Sequence, residues 1–436
     1  MTKKVKKRSA SRSGSATRSV LQKQVVQPDY YQKFQCIGSD CEDNCCCAGW
    51  RVDIDSATWQ RYQSCQSETL APLLREVIQL ETRPEKKSPK SFASVRFQPD
   101  RRCPFLQADM LCMIQRELGS EALSDICALY PRLINQFGRQ QEYGLVVSCP
   151  EAARVVLLHP DPITLVMGEA DPAFAKRDAI TYNYLLGPID TQVMNQLRVL
   201  VLRILQWREL SLGARMMLLG SLLDEVSRVR SAGRSGNVAE IVPVLETYAA
   251  LFADPGYVEG EFDRLPGDLP RKLQSTTGFL ADFLTSVDPR FKECILAFAD
   301  GLLGGEASDS ARDTTSLFGN YQKNYDQYYL PYFRDKGYVL ENYLVNDVLV
   351  NIFPFGRGSF LELYRARVFN LAIIQVMLVG MAGHYKGLTD ARVVQFIQTF
   401  TRRSAHNDSY LRKLTEALTD KQAPSFVEVM WMLKER

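Results

Sequence analysis

Periodic hydrophobic positions dominate the second half of the chain. Leucine, isoleucine and valine recur at helical spacing through residues 192–208, 211–230 and 238–252, and helical runs resume across 271–303. Residues 50–80 carry the same signal, with Leu70, Leu73, Leu74, Val77 and Ile78 at i, i+3, i+4, i+7 and i+8. Gly119 followed by Ser120 and Glu121 predicts the end of one helix and the capped start of another, which would carry Cys127 and stop near Pro131. Polar punctuation at 81–90, 231–236 and 304–315 predicts loops. Short apolar runs of strand character, such as 144–147, are few. The expected architecture is mainly α: a cysteine-rich metal-binding module over residues 29–160, packed on a multi-helix domain over 161–436. No G-x-G-x-x-G stands between a strand and a helix, so a Rossmann fold is not expected.

Charge changes the picture only at the start. The 436 residues carry a formal net charge of +3, yet residues 1–28 hold eight basic side chains and no acid, leaving 45 basic against 50 acidic groups in the rest. That segment is expected to be a disordered basic tail. A slightly acidic body disfavours nucleic acid as a partner. No run of about 18 uninterrupted apolar residues predicts a membrane span, and the nearest, 371–383, contains Gln375. Without an apolar secretory core at the start, the expected address is the cytoplasm.

Cysteine placement is the informative chemistry. Ten of the eleven cysteines lie between Cys36 and Cys149, and Cys294 stands apart as a small core residue. His159, His384 and His406 all lie outside that span, so a centre ligated by sulfur alone is favoured over mixed Cys/His sites. Cys36, Cys41, Cys45, Cys46 and Cys47 occupy one loop in which Gly38 and Gly49 permit tight backbone turns. Cys103, Cys112, Cys127 and Cys149 must be gathered by the fold. Several thiolates brought together require a cation, whether an iron–sulfur cluster or zinc. Paired C-x-x-C knuckles are absent.

The segments C-x4-C-E-D-N-C-C-C-A-G-W-R-V-D-I-D, C-P-F-L-x5-L-C-M-I, L-G-S-E-A-L-S-D-I-C-A-L-Y-P-R and S-C-P-E-A-A-R resemble those of the flagellin lysine-N-methylases, the FliB family. The block E-N-Y-L-V-N-D-V-L-V-N-I-F-P-F-G at 341–356 resembles that family's C-terminal signature, and the likeness runs over most of residues 29–360. It implies methylation of flagellin lysine ε-amines by S-adenosylmethionine, with a [4Fe-4S] cluster. Carried over by position, Cys36, Cys41, Cys45, Cys46, Cys103, Cys112, Cys127 and Cys149 match the family's cysteines, without identifying which four are ligands. The family pattern has a cysteine pair before Gly-Trp where this chain has three. The radical-SAM spacing C-x3-C-x2-C is unmatched, since Ala48 takes its third place.

Tyr321, Tyr325, Tyr328, Tyr329 and Tyr332 are expected on one face of one helix. Such rings either pack a core or receive a lysine ammonium by cation–π attraction. On the second reading Tyr328 and Tyr332 are candidate catalytic residues, with Glu341 as a proton acceptor. Two further functions stay open: an adaptor stapled by zinc or a cluster, and an electron-transfer protein.

Overall fold

The chain is described as a computed structural model over residues 24–85, 87–138, 140–169, 180–184, 188–232, 238–281, 288–304, 314–356, 358–404, 410, 414 and 426–435. Strand β1 (Gln24–Pro28) is followed by a small module with its own core. There β2 (Asp53–Ile54), α1 (Ser56–Gln63), α2 (Leu70–Val77), β3 (Ile78–Leu80) and β4 (Ala93–Val95) bury Ile54, Tyr62, Leu74 and Val95 against Phe105 and Ile114. Asp55 starts α1 by accepting the N–H groups of Ala57 and Thr58. The helical spacing read across 50–80 is realised in α2, whereas Ile78 begins β3 and pairs with Val95.

Short helices α3 (Met113–Leu118) and α4 (Asp125–Leu129) come next. The single helix expected after Gly119 is interrupted: Ser120–Ala122 makes one 3-10 turn, Leu123 is extended, and Ser124 precedes α4. Then come β5 (Arg132–Phe137), β6 (Gln140–Leu145), α5 (Pro150–Leu157), β7 (Leu165–Gly168) and β8 (Ile180–Tyr184). They complete a five-stranded sheet in the order β7-β1-β6-β5-β8. The β1–β6 and β5–β8 pairs are parallel and the others antiparallel. Residues 24–28, part of the expected basic tail, thus form a sheet strand, while residues 1–23 lie outside the described residues. The sheet also draws β7 and β8 from beyond residue 160, so it joins the two expected domains. Among the described residues no sheet is of Rossmann type.

The remainder is helical: α6 (Pro188–Leu205), α7 (Leu212–Ala232), α8 (Val242–Ala250), α9 (Pro255–Asp263), α10 (Leu269–Ala281), α11 (Pro289–Leu303), α12 (Thr314–Asn324), α13 (Leu330–Lys336), α14 (Tyr338–Val350), α15 (Phe360–Tyr385) and α16 (Asp390–Ser404). With the large sheet they form one extensive core. The expected loops at 231–236 and 304–315 fall largely outside the described residues. At 26 residues, α15 is long and apolar enough to cross a membrane, but 83% of its most apolar window is buried within the protein. It is the central helix of the core.

Polar stitches fix the layers. Asn342 on α14 is fully buried, and its Nδ2 donates to the carbonyls of Val156 (3.1 Å) and His159 (2.6 Å) at the end of α5. Lys272 on α10 is fully buried as well, donating to Gln375 Oε1 (3.1 Å) and the carbonyl of Lys434 (3.0 Å). Burial pushes its ammonium down to about 8, against the attraction of Glu435.

Two stability effects are expected. Asn342→Ala strands buried carbonyls and should cost about 1–3 kcal/mol in denaturant unfolding. For Lys272 the folded chain releases its proton near pH 8, whereas an unfolded lysine keeps it to about pH 10.4. In that window the unfolded state binds more protons, so stability relative to Lys272→Met should rise by about 1.4 kcal/mol per pH unit. A flat difference between the two pH profiles would contradict the burial.

Candidate metal centre

The cysteine loop runs between the two cores. Gly38 and Gly49 take left-handed φ values of 57° and 65°, which supply the turns at its ends. Cys45–Cys47 forms a 3-10 turn capped by Asn44, whose side chain accepts the Cys46 N–H (2.9 Å) and donates to the carbonyl of Met110 (2.9 Å). The Cys103 N–H donates to the carbonyl of Cys46 (2.8 Å), and a bridge between Leu106 and Cys112 folds the second segment back. Cys112 stands at the N-cap of α3, Cys127 lies within α4, and Cys149 stands at the N-cap of α5 with Pro150 after it. Helix ends and short turns therefore hold the cysteines of these stretches.

The thiols feel one another. The Cys46 thiol lies between those of Cys45 and Cys103 and is hydrogen-bonded to both. Holding the shared proton, it is driven up while Cys103 moves down and Cys45 falls to about 7, helped by the Arg402 charge. Burial raises Cys112 against the backbone N–H groups of Gln115 and Ile114. Burial also raises Cys127 to about 12, reinforced by the charges of Cys45, Cys103 and Cys112. A second group surrounds Cys149, raised by burial to about 12 with Cys41 and Cys36 adding repulsion. Cys41, raised by burial to about 11, also feels Cys45 and so links the groups. The eight expected cysteines thus divide into five and three. Cys45 and Cys127 keep area open to solvent.

Among the described residues no group of three or more Cys, His, Asp or Glu side chains is arranged to hold a metal ion. The donor chemistry nevertheless fits a soft, sulfur-ligated group, with thiols in contact and no imidazole among them. His159 lies instead between Lys33 and Asp29, and His384 bonds Asp300. His406 is outside the described residues. Cys65 packs against the small core, and Cys294 is buried in α11.

The polar residues of E-D-N-C-C-C each have a role that the sequence reading missed. Glu42 receives both Nη atoms of Arg154 on α5 (2.6 and 3.2 Å). Asp43 pairs with Arg402 on α16 and accepts from Gln398 Nε2 (2.8 Å). Trp50 packs edge-on against Tyr130, at 4.7 Å between ring centroids. A run of three polar residues inside a cysteine loop was the available signal, but their partners lie far along the chain.

The tyrosine stripe is split. Tyr325–Tyr329 is a π-helical turn between α12 and α13. Its smaller rotation per residue cancels the drift that steps of four accumulate in an α-helix. Tyr321, Tyr325, Tyr329 and Phe333 consequently share a buried face, with Tyr321 and Tyr325 bonded to Glu435. Tyr328 and Tyr332 lie on the half-exposed side, and each ring carries a lysine: Lys386 over Tyr328 and Lys336 over Tyr332, both at 5.4 Å. Tyr332 also donates to Asp390 (2.8 Å). Glu341 is not placed with these rings by any hydrogen bond. It is 1% exposed and receives Arg208 (2.9 Å) and Arg215 (2.7 Å).

Fold and site together define a mainly helical protein whose cysteine loop is held between a small module and a helical body. Residues 198–432 match the family model described as "FliB lysine N-methylase C-terminal domain". The chain belongs to the FliB lysine N-methylase family. Over 142 residues it is 30% identical to a Lysine-N-methylase of Salmonella typhimurium, covering 32% of this chain and 34% of that protein. The same identity and length relate it to the flagellar biosynthetic protein FliU of Salmonella muenchen, covering 81% of that protein. A Lysine-N-methylase of Salmonella choleraesuis matches at 30%, again over 34% of its length. The matched stretch thus spans about a third of either Lysine-N-methylase. No solved structure matches the chain.

The split stripe separates two kinds of tyrosine. Tyr329→Ala should cost about 3–5 kcal/mol in unfolding, whereas Tyr328→Ala should change stability by no more than about 1 kcal/mol. Equal losses would mean that both rings belong to the core.

Proposed function

We propose that this protein is a lysine N-methyltransferase that moves the methyl group of S-adenosylmethionine to lysine ε-amines of flagellin. We infer that four of the eight gathered cysteines hold a [4Fe-4S] cluster. Membership of the family supports the reaction class, and the names of the relatives support a flagellar substrate. One feature supports the cluster: the Cys46 thiol lies between those of Cys45 and Cys103, with Cys112 and Cys127 near enough to feel them and no histidine in the group. When bound, such a cluster would supply a redox-active, Lewis-acidic centre at the cysteine loop.

The transfer breaks the sulfonium–methyl bond, forms a nitrogen–methyl bond and leaves a thioether. The substrate ammonium must lose a proton, because only the neutral amine has a lone pair to attack. A site that limits hydration favours that form. Tyr328 and Tyr332 offer ring faces to an incoming lysine, the geometry that Lys386 and Lys336 already adopt there. Glu341, engaged by two guanidiniums, serves as a structural anchor and not as the proton acceptor. Flagellin subunits are made in the cytoplasm before export, so the enzyme would meet them there.

Anaerobic purification followed by metal analysis and transfer of labelled methyl from S-adenosylmethionine to flagellin tests this reading. About four irons with matching sulfide, and transfer lost on cluster removal, are expected. Stoichiometric zinc, or a reversible cluster without methyl transfer, would replace it with the adaptor or the electron carrier. Tyr328→Ala and Tyr332→Ala should lower flagellin methylation at least several-fold in folded protein. Unchanged turnover would return both rings to packing.

A further inference from the structure

Two side chains one turn apart on α16, far along the chain from the cysteines, reach the backbone on both sides of the candidate ligands. Gln398 is fully buried, and its Nε2 donates to Asp43 Oδ2 (2.8 Å) and to the carbonyl of Ser148 (2.8 Å). Asp43 sits between Cys41 and Cys45, and Ser148 directly precedes Cys149. One amide nitrogen therefore joins the cysteine loop to the N-terminus of α5. It does so while its own Oε1 has no hydrogen-bond partner among the described residues, a cost that buried polar groups ordinarily avoid. Arg402 pairs with Asp43 Oδ1, reaches the Asp43 carbonyl (3.4 Å), and lies 5.6 Å from the ring centroid of Trp50. Both members of this ion pair are about nine-tenths buried, so neither charge is satisfied by water.

We infer that Gln398 and Arg402 are positioning residues for the sulfur-ligated centre, holding the Cys41–Cys45 turn and Cys149 in register from the helical body. This rests on the centre proposed above. Gln398 sets the spacing of the two segments through hydrogen bonds that only a side-chain amide of this length makes. Arg402 fixes the loop in rotation, through two contacts to Asp43 and one ring face of Trp50, and places a permanent positive charge beside the sulfurs. Groups that orient metal ligands in this way typically change metal affinity by about 10–100-fold when removed.

The test compares full-length wild type with Gln398→Ala, Arg402→Gln and Arg402→Lys after anaerobic reconstitution. Iron per chain, the rate of iron loss to a chelator, and the electron paramagnetic resonance spectrum of the reduced cluster are measured, with circular dichroism reporting the fold. Gln398→Ala and Arg402→Gln should lose iron about 10–100-fold faster with altered resonance lines, while Arg402→Lys, which keeps the charge, recovers part of the difference. A merely structural staple would lower the unfolding temperature and leave the spectrum of the folded fraction unchanged, and that result overturns the inference. Should Arg402→Gln fail to fold, an Arg402→Lys spectrum and iron-loss rate identical to wild type would do the same. Wild type that takes up no iron would sink the centre itself, a different outcome from variants that match an iron-loaded wild type.

Discussion

The acidic pair Glu42–Asp43 is the constraint on which the cysteine site depends. A loop with five thiols and three carboxylates has little apolar surface with which to dock, and the two cores beside it are complete without it. Guanidiniums from two different helices meet it instead, Arg154 from α5 and Arg402 from α16. The two contacts differ in kind. Arg154 and Glu42 are each about one-third exposed and are screened by water. Asp43 and Arg402 are nearly dry, and loss of either partner would leave a buried charge at a cost of roughly 3–5 kcal/mol. The buried pair therefore fixes where the loop sits, and the thiols inherit their positions from it.

Packing of α14 within the helical body and against the large sheet follows the same logic at a second place. In the block 341–356 the polar side chains are spent on junctions. Glu341 gathers Arg208 and Arg215, Asn342 closes the end of the helix that begins beside Cys149, and Asn346 accepts from Tyr30 next to β1. A fully buried polar group costs free energy unless it is bonded. Three of them in six residues are therefore explained by the seam they close. These contacts give the polar residues of the block a structural role.

The helical half was legible because leucine-rich periodicity survives any tertiary detail: residues 211–230 were expected to be helical, and α7 is Leu212–Ala232. The five-stranded sheet was not. Its central strands read R-L-I-N-Q-F and Q-Q-E-Y-G-L, and their polar residues are buried, not alternating with solvent. Asn135 bonds the carbonyl of Val350, and Glu142 pairs with Arg198, so the partners that make those strands possible lie in other elements. The tyrosine spacing was visible, but an ideal helix was the wrong ruler, because the π turn at Tyr325–Tyr329 moved two of the five rings to another face. The concentration of cysteines within residues 36–149 was plain in the composition. The side chains that hold the loop were not, since Arg402 lies 359 residues from Asp43.

Electrostatics also explains how such a site can be assembled before anything binds. Burial holds Cys41 near 11 and Cys127 and Cys149 near 12, so at neutral pH these sulfurs keep their protons and add no charge to a crowded recess. Cys45, brought to about 7 by the Cys46 thiol and the Arg402 guanidinium, and Cys103, lowered by the same Cys46 thiol, are the exceptions. Of the two, Cys45 stands nearer the charge of the buried Asp43–Arg402 pair. Each further thiol must release a proton as it takes a metal. A metal bound here would meet two thiols already lowered, Cys45 and Cys103, and would itself drive the remaining ionisations.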